Sequence, residues 1–443
     1  MKKFFVVWAG QIISMLGSGL SGFGLGVWIY QQTGSATQFA LSALFMMLPN
    51  LIAGPLGGIL ADRFDRRKLL AISDAGQAVG TLVLAGLLFA GRLEVWHIYV
   101  ALVNGAIFNC LRWPAFNALL PTIVPRAQLM RANGLVSAGE AATAIAAPLA
   151  AGLLVASIGL PAVLMIDVIT FLIGTAILFT IRMPKRERRD ERAVATRTRN
   201  YWRIALHDTR EGWTFLRERS SFLGLLAFFA LINLCLGIIE VVFTPLVLSI
   251  GDVRTLGATS SIAAVAMLLG SITITIWGGP RRRVAAIIGF AAIQGVIAVC
   301  VGWKTSVAAL MFGAFAYMFF FPIIGACCQA IWQSKVPNEL QGRVGAVRVM
   351  IVNIVRPVSF FLAGVLSDHV FGPLLMPGGA LSDGVVGRLM GVGPGRGVGL
   401  LVVVMGVMTV MGTIVAYAYP RIRQIELELP DMMGDDLAVA KAA

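Results

Sequence analysis

The sequence predicts an all-α membrane protein of twelve transmembrane helices, arranged as two six-helix repeats. Three observations carry this. Of 443 residues, 58% are hydrophobic and 13% charged, about half the charged share of a soluble domain. Apolar runs recur at the length that crosses a bilayer. Lys and Arg gather on alternate connections. A soluble chain this long would divide into roughly three domains, and this one lacks the polar residues to cover them. The composition also excludes a disordered, collagen-like or secreted disulfide protein. The five cysteines, Cys110, Cys235, Cys300, Cys327 and Cys328, lie in apolar runs without metal-ligand spacing. They read as reduced core residues.

The first span, 4–30, follows the basic pair Lys2-Lys3. Its apolar run is too long for a signal-peptide core and lacks a small-residue cleavage site. Gln11, Ser14, Ser18 and Ser21 share one face, as a cavity wall or a helix-packing seam would. Spans two to six follow at 37–60, 69–90, 96–120, 131–157 and 161–181. A charged linker, 182–221, comes next. Its latter part sets Trp202, Ile204, Leu206, Trp213, Phe215 and Leu216 among charges, which suits an amphipathic helix at the membrane surface. Spans seven to twelve fall at 222–250, 256–278, 284–303, 305–334, 343–370 and 397–419. The connection 371–396 is rich in glycine and proline and reads as a flexible lid or a decoration. The chain thus divides into an N-terminal six-helix bundle (1–181), a cytoplasmic linker (182–221), a C-terminal six-helix bundle (222–420) and a cytoplasmic tail (421–443).

With the N-terminus inside, 29 of the 36 Lys and Arg fall in inner segments and five in outer loops. Arg112 and Arg356 remain within spans. The net charge of +14 is therefore an orientation signal, and no basic face is left for nucleic acid. The inner bases are placed to meet anionic lipid head groups. An integral protein of the plasma (inner) membrane is expected, with both termini cytoplasmic and acting as a monomer. There is no phosphate-binding GxxxxGK[ST] loop, no HExxH and no Ser-His-Asp or paired-Asp cluster. No cofactor, metal, catalytic residue or enzymatic activity is expected.

The halves repeat. At a constant offset of 212, Val124, Pro125, Arg131 and Gly152 meet Val336, Pro337, Arg343 and Gly364. Both halves start on the same side, as in a parallel repeat about an axis along the membrane normal. After span two comes Gly58-Ile-Leu-Ala-Asp62-Arg63-Phe-Asp65-Arg66-Arg67-Lys68. This resembles the signature loop of the major facilitator superfamily, with Asp65 where a glycine is usual. Ala147, Pro148, Ala151 and Gly152 resemble the antiporter motif of drug exporters, with alanines replacing two glycines. The stretch from Arg112 through Pro114 with LLPTIVPRAQLMRANGL, GIIEVVFTPLVLSIG in span seven and WGGPRRR after span eight resemble the macrolide-efflux-type branch of proton-coupled drug antiporters. The resemblance implies the major facilitator fold. It also implies an inner gate, in which Asp62 faces the N-terminal end of span eleven near Gln341–Gly345 and the bases around it bind carboxylates or lipid.

A charge inside a span costs about 2.5–3.5 kcal/mol on insertion scales, so each needs a reason. Glu140 shares a helical face with Asn133, Ser137 and the alanines of the antiporter-like stripe. A carboxyl there, taken out of water, is the first candidate to carry a proton. Glu240 shares a face with Asn233, Gly237 and Thr244 and is the second. Arg112 is placed to modulate a carboxyl, as in many proton-driven exporters. Arg356, one turn after Asn353, needs an anionic substrate group or a carboxylate. Arg356, Asn353, Asn233, Gln11, Ser14 and Ser18 are the substrate-cavity candidates. Asp167, near the outer end of span six, reads as structural, and Asp74 lies near a span end.

The expectation is a secondary exporter of small amphipathic organic molecules, driven by proton antiport, with the two halves rocking. The alternatives are an importer or proton-independent facilitator of the same fold, or a lipid transporter or scramblase.

Overall fold

The computed structural model describes residues 2–63, 65–125, 128–180, 210–211, 213–304, 306–423 and 425–428; some side chains within this, those of 50–63, Arg66 and Asn353 included, lie outside the description. The long helices are α1 (Lys2–Thr33), α2 (Ala36–Arg63), α3 (Arg66–Phe89), α4 (Val95–Ile123), α5 (Leu129–Thr180), α6 (Ser220–Leu248), α7 (Val253–Trp277), α8 (Arg283–Trp303), α9 (Val307–Lys335), α10 (Asn338–Val365) and α11 (Arg396–Ala418). Among the described residues, nine helical stretches are long and apolar enough to cross a membrane. Twelve crossings therefore stay an expectation of the sequence. Large apolar side chains also face outward at helical spacing. Val79, Leu82 and Val83 on α3 are each more than half exposed, the mark of a lipid-facing stripe rather than a watered one.

The run α5 is 52 residues long and contains one break, at Gly159 (φ 80°, ψ 165°). Its two arms, 129–158 and 160–180, both pack on α1, in opposite directions. Trp8 and Gly19 of α1 meet Leu135 and Ala147, advancing along the first arm. Gly24, Gly17 and Gly10 meet Leu160, Thr170 and Ile177, retreating along the second. The run is thus a hairpin turned where a side chain would be strained. Sequence segmentation at 157 and 161 anticipates that turn.

The chain divides into two units. The first is 1–199 with 251–261. One apolar cluster in it includes Phe4, Leu70, Phe116 and Leu178, and another Ile29, Leu84, Ile98 and Leu164. The second unit is 200–250 with 262–443. It packs Phe222, Leu225, Ile287, Ile331 and Trp332 together, with Phe222 stacked on Trp332 at 4.8 Å. Here α8 and α11 touch at glycines. A methyl on Gly295 would come within 2.9 Å of the Gly406 carbonyl oxygen, and one on Gly406 within 2.6 Å of that of Gly295. Lipid tails are as apolar as leucine, so such close backbone approach is what holds helices together there.

The structure revises several expectations. Of the linker's amphipathic helix, residues before 210 lie outside the described ones, His207 included. Its end, 213–217, is helical, but Phe215 and Leu216 are buried against the second unit's core. They pack on protein rather than lipid, and Glu211 pairs with Arg343. The connection 371–396 is folded rather than a loose lid. Leu381 N–H donates to the Leu374 carbonyl and Gly393 N–H to that of Leu375, and Leu375 is fully buried. Gly391, Gly393 and Gly395 supply positive φ angles. The start of the tail is helical at Pro420–Arg423 and Ile425–Glu428. The Glu426 carboxylate accepts from the N–H groups of Arg283 (3.1 Å) and Val284 (3.3 Å) at the start of α8, satisfying donors that no helix turn reaches.

Asp252 caps α7. Its carboxylate accepts from the Thr255 hydroxyl (2.7 Å) and N–H (2.8 Å), and these bonds hold the carboxyl below its ordinary range. Its contribution is present above the unfolded value of about 3.9 and is lost as pH falls through the lower folded one. The melting-temperature difference between wild type and Asp252→Asn is therefore expected to stay flat at neutral pH and change only in acid. Separately, Gly159→Val is expected to cost about 1–2 kcal/mol, read as a lower melting temperature in detergent. A wild-type melting temperature would contradict the hinge.

Candidate functional site

The first unit contains an aromatic cleft built by α1, α4 and the first arm of α5. Its lining includes Trp8, Gln11, Trp113, Phe116, Arg112 and Glu140. The Trp8 indole donates to the Leu135 carbonyl at 3.0 Å, which fixes α1 against α5. Glu140 is half-buried. Among the described residues it has no ion-pair or hydrogen-bond partner. The structure thus brings three expected residues, Gln11, Arg112 and Glu140, into one cleft.

Behind the cleft, Arg112 is 7% exposed and Asp74 fully buried. Arg112 Nε donates to Gln11 Oε1 at 3.0 Å and lies 3.5 Å from Asp74 Oδ1. Arg112 therefore has a carboxylate partner, and it is Asp74 of α3 rather than Glu140. In sequence Asp74 stands near a span end; in the fold it is interior. Asp167 is likewise interior, 2% exposed, and it faces the middle of α1. The Thr81 hydroxyl donates to its Oδ2 at 3.2 Å. A Cβ on Gly17 would come within 2.8 Å of its Oδ1. Ser14 is fully buried on the same side. The Ser18 hydroxyl donates to the Ser14 carbonyl at 3.0 Å and so leaves no donor for a ligand. The sequence signal for Asp74 and Asp167 is a carboxylate residue type within an apolar span.

The antiporter-like stripe forms a close helix contact. Ala147 and Ala151 are buried, and Ala147 lies where a Cβ on Gly19 would touch it. Gly152 packs on Val253 and Gly257. The Ser261 hydroxyl donates to the Ile145 carbonyl at 2.7 Å, one turn before Pro148, whose ring and missing N–H loosen the local ladder.

In the signature loop, the side chains of Gly58, Asp62, Arg63 and Arg66 lie outside those described. Two other positions are informative. Asp65 is the N-cap of α3, accepting from the N–H groups of Arg67 (2.9 Å) and Lys68 (3.2 Å), so a capping residue stands where the superfamily has glycine. Arg67 donates to the Phe179 carbonyl at 2.6 Å and lies over the Phe179 ring. It ties α3 to the second arm of α5.

The second unit holds a cavity of about 200 Å³. Asn233, Gln294, Tyr317, Phe321, Trp332 and Arg348 are among its walls. Asn233 is on the wall of this cavity, and its amide donates to the Phe229 carbonyl at 2.8 Å. Arg348 counts in the sequence as an ordinary inner base. It lies instead over Trp332 at 4.7 Å and 3.3 Å from Gln329 Oε1. Its place inside span eleven is the available signal. Arg356, expected to meet an anionic substrate group or a carboxylate, pairs with Glu240, the second proton candidate. Arg356 Nη2 donates to both Glu240 oxygens, at 3.1 and 2.8 Å. The Asn353 side chain lies outside those described.

Residues 7–360 match the sequence pattern of the Major Facilitator Superfamily. The chain is 26% identical over 380 residues to Macrolide efflux protein A of Streptococcus pyogenes, covering 83% of this chain and 90% of that protein. It is 28% identical over 156 residues to the Enterobactin exporter EntS of Salmonella paratyphi A, covering 35% and 38%. The solved structure of the nucleoside transporter NupG superposes with a TM-score of 0.68 at 13% identity, over 93% of this chain and 99% of that one.

Asp74→Asn strands a buried guanidinium and is expected to cost about 3–5 kcal/mol. The double variant Asp74→Asn/Arg112→Gln should recover part of that. Equal loss of thermal stability in single and double variants would show the two side chains uncoupled. Glu240→Gln removes the carboxylate that answers Arg356 within the span, so a lower melting temperature in detergent is expected, and an unchanged one would show that the pair contributes little.

Proposed function

Because the chain belongs to the Major Facilitator Superfamily, and is an integral membrane transporter rather than an enzyme, we propose that it exports small amphipathic organic molecules by proton antiport. The observation that carries this is the aromatic cleft around Glu140. Trp8, Trp113 and Phe116 offer flat apolar contact. Of Glu140, Glu240, Arg112 and Arg356, only Glu140 has no partner among the described residues, since Arg112 faces Asp74 and Arg356 binds Glu240. A lone carboxylate on an apolar wall suits a cationic group of a substrate or a proton. The names of the relatives support export and a bulky organic substrate.

In this reading the two six-helix halves, 1–181 and 222–420, rock to give alternating access, with both termini cytoplasmic. The linker 182–221 connects them and 421–443 forms the tail. Gly58, Asp62, Arg63, Arg66 and Arg67 form the inner gate, and the inner bases meet anionic lipid. The protein works as a monomer. The small-residue stripe at Ala147, Pro148, Ala151 and Gly152 keeps helices close during the motion.

Purified protein in proteoliposomes should move a radiolabelled macrolide or tetraphenylphosphonium when a pH gradient is imposed, and little without one. Gradient-independent flux of both probes would defeat the antiport reading. Glu140→Gln is expected to abolish gradient-driven transport, and full transport by that variant would remove Glu140 from the cycle.

A further inference from the structure

The charges buried behind the cleft do not balance. Asp74, Arg112 and Asp167 are 0%, 7% and 2% exposed. That is two carboxyl groups and one guanidinium, all buried. Arg112 lies 3.5 Å from Asp74, and its Nε is held by Gln11. Its charge offsets that of Asp74. Asp167 has no ion pair of its own; it accepts from the Thr81 hydroxyl at Oδ2, and the Ser21 hydroxyl faces it from α1. An ionised carboxylate so placed is strongly disfavoured, and neutralisation by a proton is the ordinary remedy.

The surroundings are shaped for this. Gly17 leaves the notch that the Asp167 carboxyl occupies, since a Cβ there would come within 2.8 Å of Oδ1. On α1, Ser14, Ser21 and Gln11 are buried, with Ser21 directed at Asp167 and Gln11 at Asp74. With Gln11 at the cleft, this polar stripe runs along α1 from the Glu140 chamber toward Asp167 and beyond it. The charged or titratable groups facing Asp167 are few. From α3 there is Asp74 and from α4 Arg112. The stripe of α1 contributes none. On the first arm of α5, Glu140 lines the cleft beside Arg112 and Arg131 stands at the start of the helix.

We propose that the Asp74–Arg112–Asp167 cluster is the proton-binding site of the transport cycle, with Asp167 as the carboxyl that takes up and releases the proton. Protonation at Asp167 brings the cluster from a net charge of −1 to zero. Release returns the proton to water and leaves the carboxylate, destabilised in its notch, ready for the next one. Glu140 is then the substrate-facing carboxylate and not the proton carrier. This rests on the antiport reading above.

Two measurements on the full-length protein test it. In proteoliposomes with the same two probes, Asp167→Asn should lose pH-gradient-driven accumulation while keeping substrate counterflow without a gradient. Asp167→Glu should restore the driven component in part. If wild type responds to the gradient and Asp167→Asn responds equally, the cluster is not the site and antiport stands. If wild type shows no response, the antiport reading falls and the proposal with it. Infrared difference spectra between mildly acidic and alkaline pH provide a readout on protein without substrate. A protonated-carboxyl C=O band should be lost on alkalinisation in wild type and be shifted in Asp167→Glu, a variant that keeps the acid. A band absent in wild type, or unmoved by Asp167→Glu, would overturn the proposal even where Asp167→Asn fails to fold.

Discussion

Helices in lipid gain little from burying leucine against leucine, because the acyl chains they leave are equally apolar. What holds them is backbone proximity and the pairing of polar groups that lipid will not accept. In the first unit both requirements meet on α1. Gly10, Gly17, Gly19 and Gly24 let both arms of α5 approach it, and Gly17 also makes room for Asp167. A larger residue at Gly17 would push away the second arm and fill the notch together. The packing of α1 in the fork of α5 thus sets where Gln11, Arg112 and Glu140 meet.

The second unit uses the same principle with different parts. The α8–α11 contact runs through Gly295, Gly302, Gly399 and Gly406. Aromatic stacking of Phe222 on Trp332 and the guanidinium of Arg348 over the same indole organise the end that holds the cavity. Glu426 closes the start of α8, while the Lys335 ammonium donates to the Glu426 carbonyl at 2.8 Å. A tail that is merely polar in sequence is therefore, at its start, a fixed part of this unit.

The charges within the membrane divide into those that structure neutralises and those it leaves over. Arg356 and Glu240 cancel each other. Arg112 and Asp74 do so as well, deep in the first unit. Among the described residues, Glu140 at the cleft and Asp167 in its notch are two carboxyls without an ion pair, and they differ in surroundings. Glu140 is half-buried among aromatic rings and open to a ligand. Asp167 is buried, with the Thr81 hydroxyl donating to it. One chain thus offers two carboxyls with distinct access, which a carrier coupling two species requires.

The sequence by itself determined the membrane class, the positions of most helices, the break between residues 157 and 161 and the short set of charges that needed a reason. These are local properties. Hydropathy, run length and the identity of a glycine or proline act within a few residues, so they can be read along the chain. Tertiary structure decided which charge answers which. Asp74 and Arg112 are 38 positions apart, and Glu240 and Arg356 are 116 apart. Nothing in a linear pattern states that α3 turns Asp74 toward α4, or that Gly17 opens a place for Asp167. Pairing depends on helix rotation and on close approach between distant segments. Those are fixed only when the helices pack, because a side chain's partner is set by the neighbouring helix and not by its own.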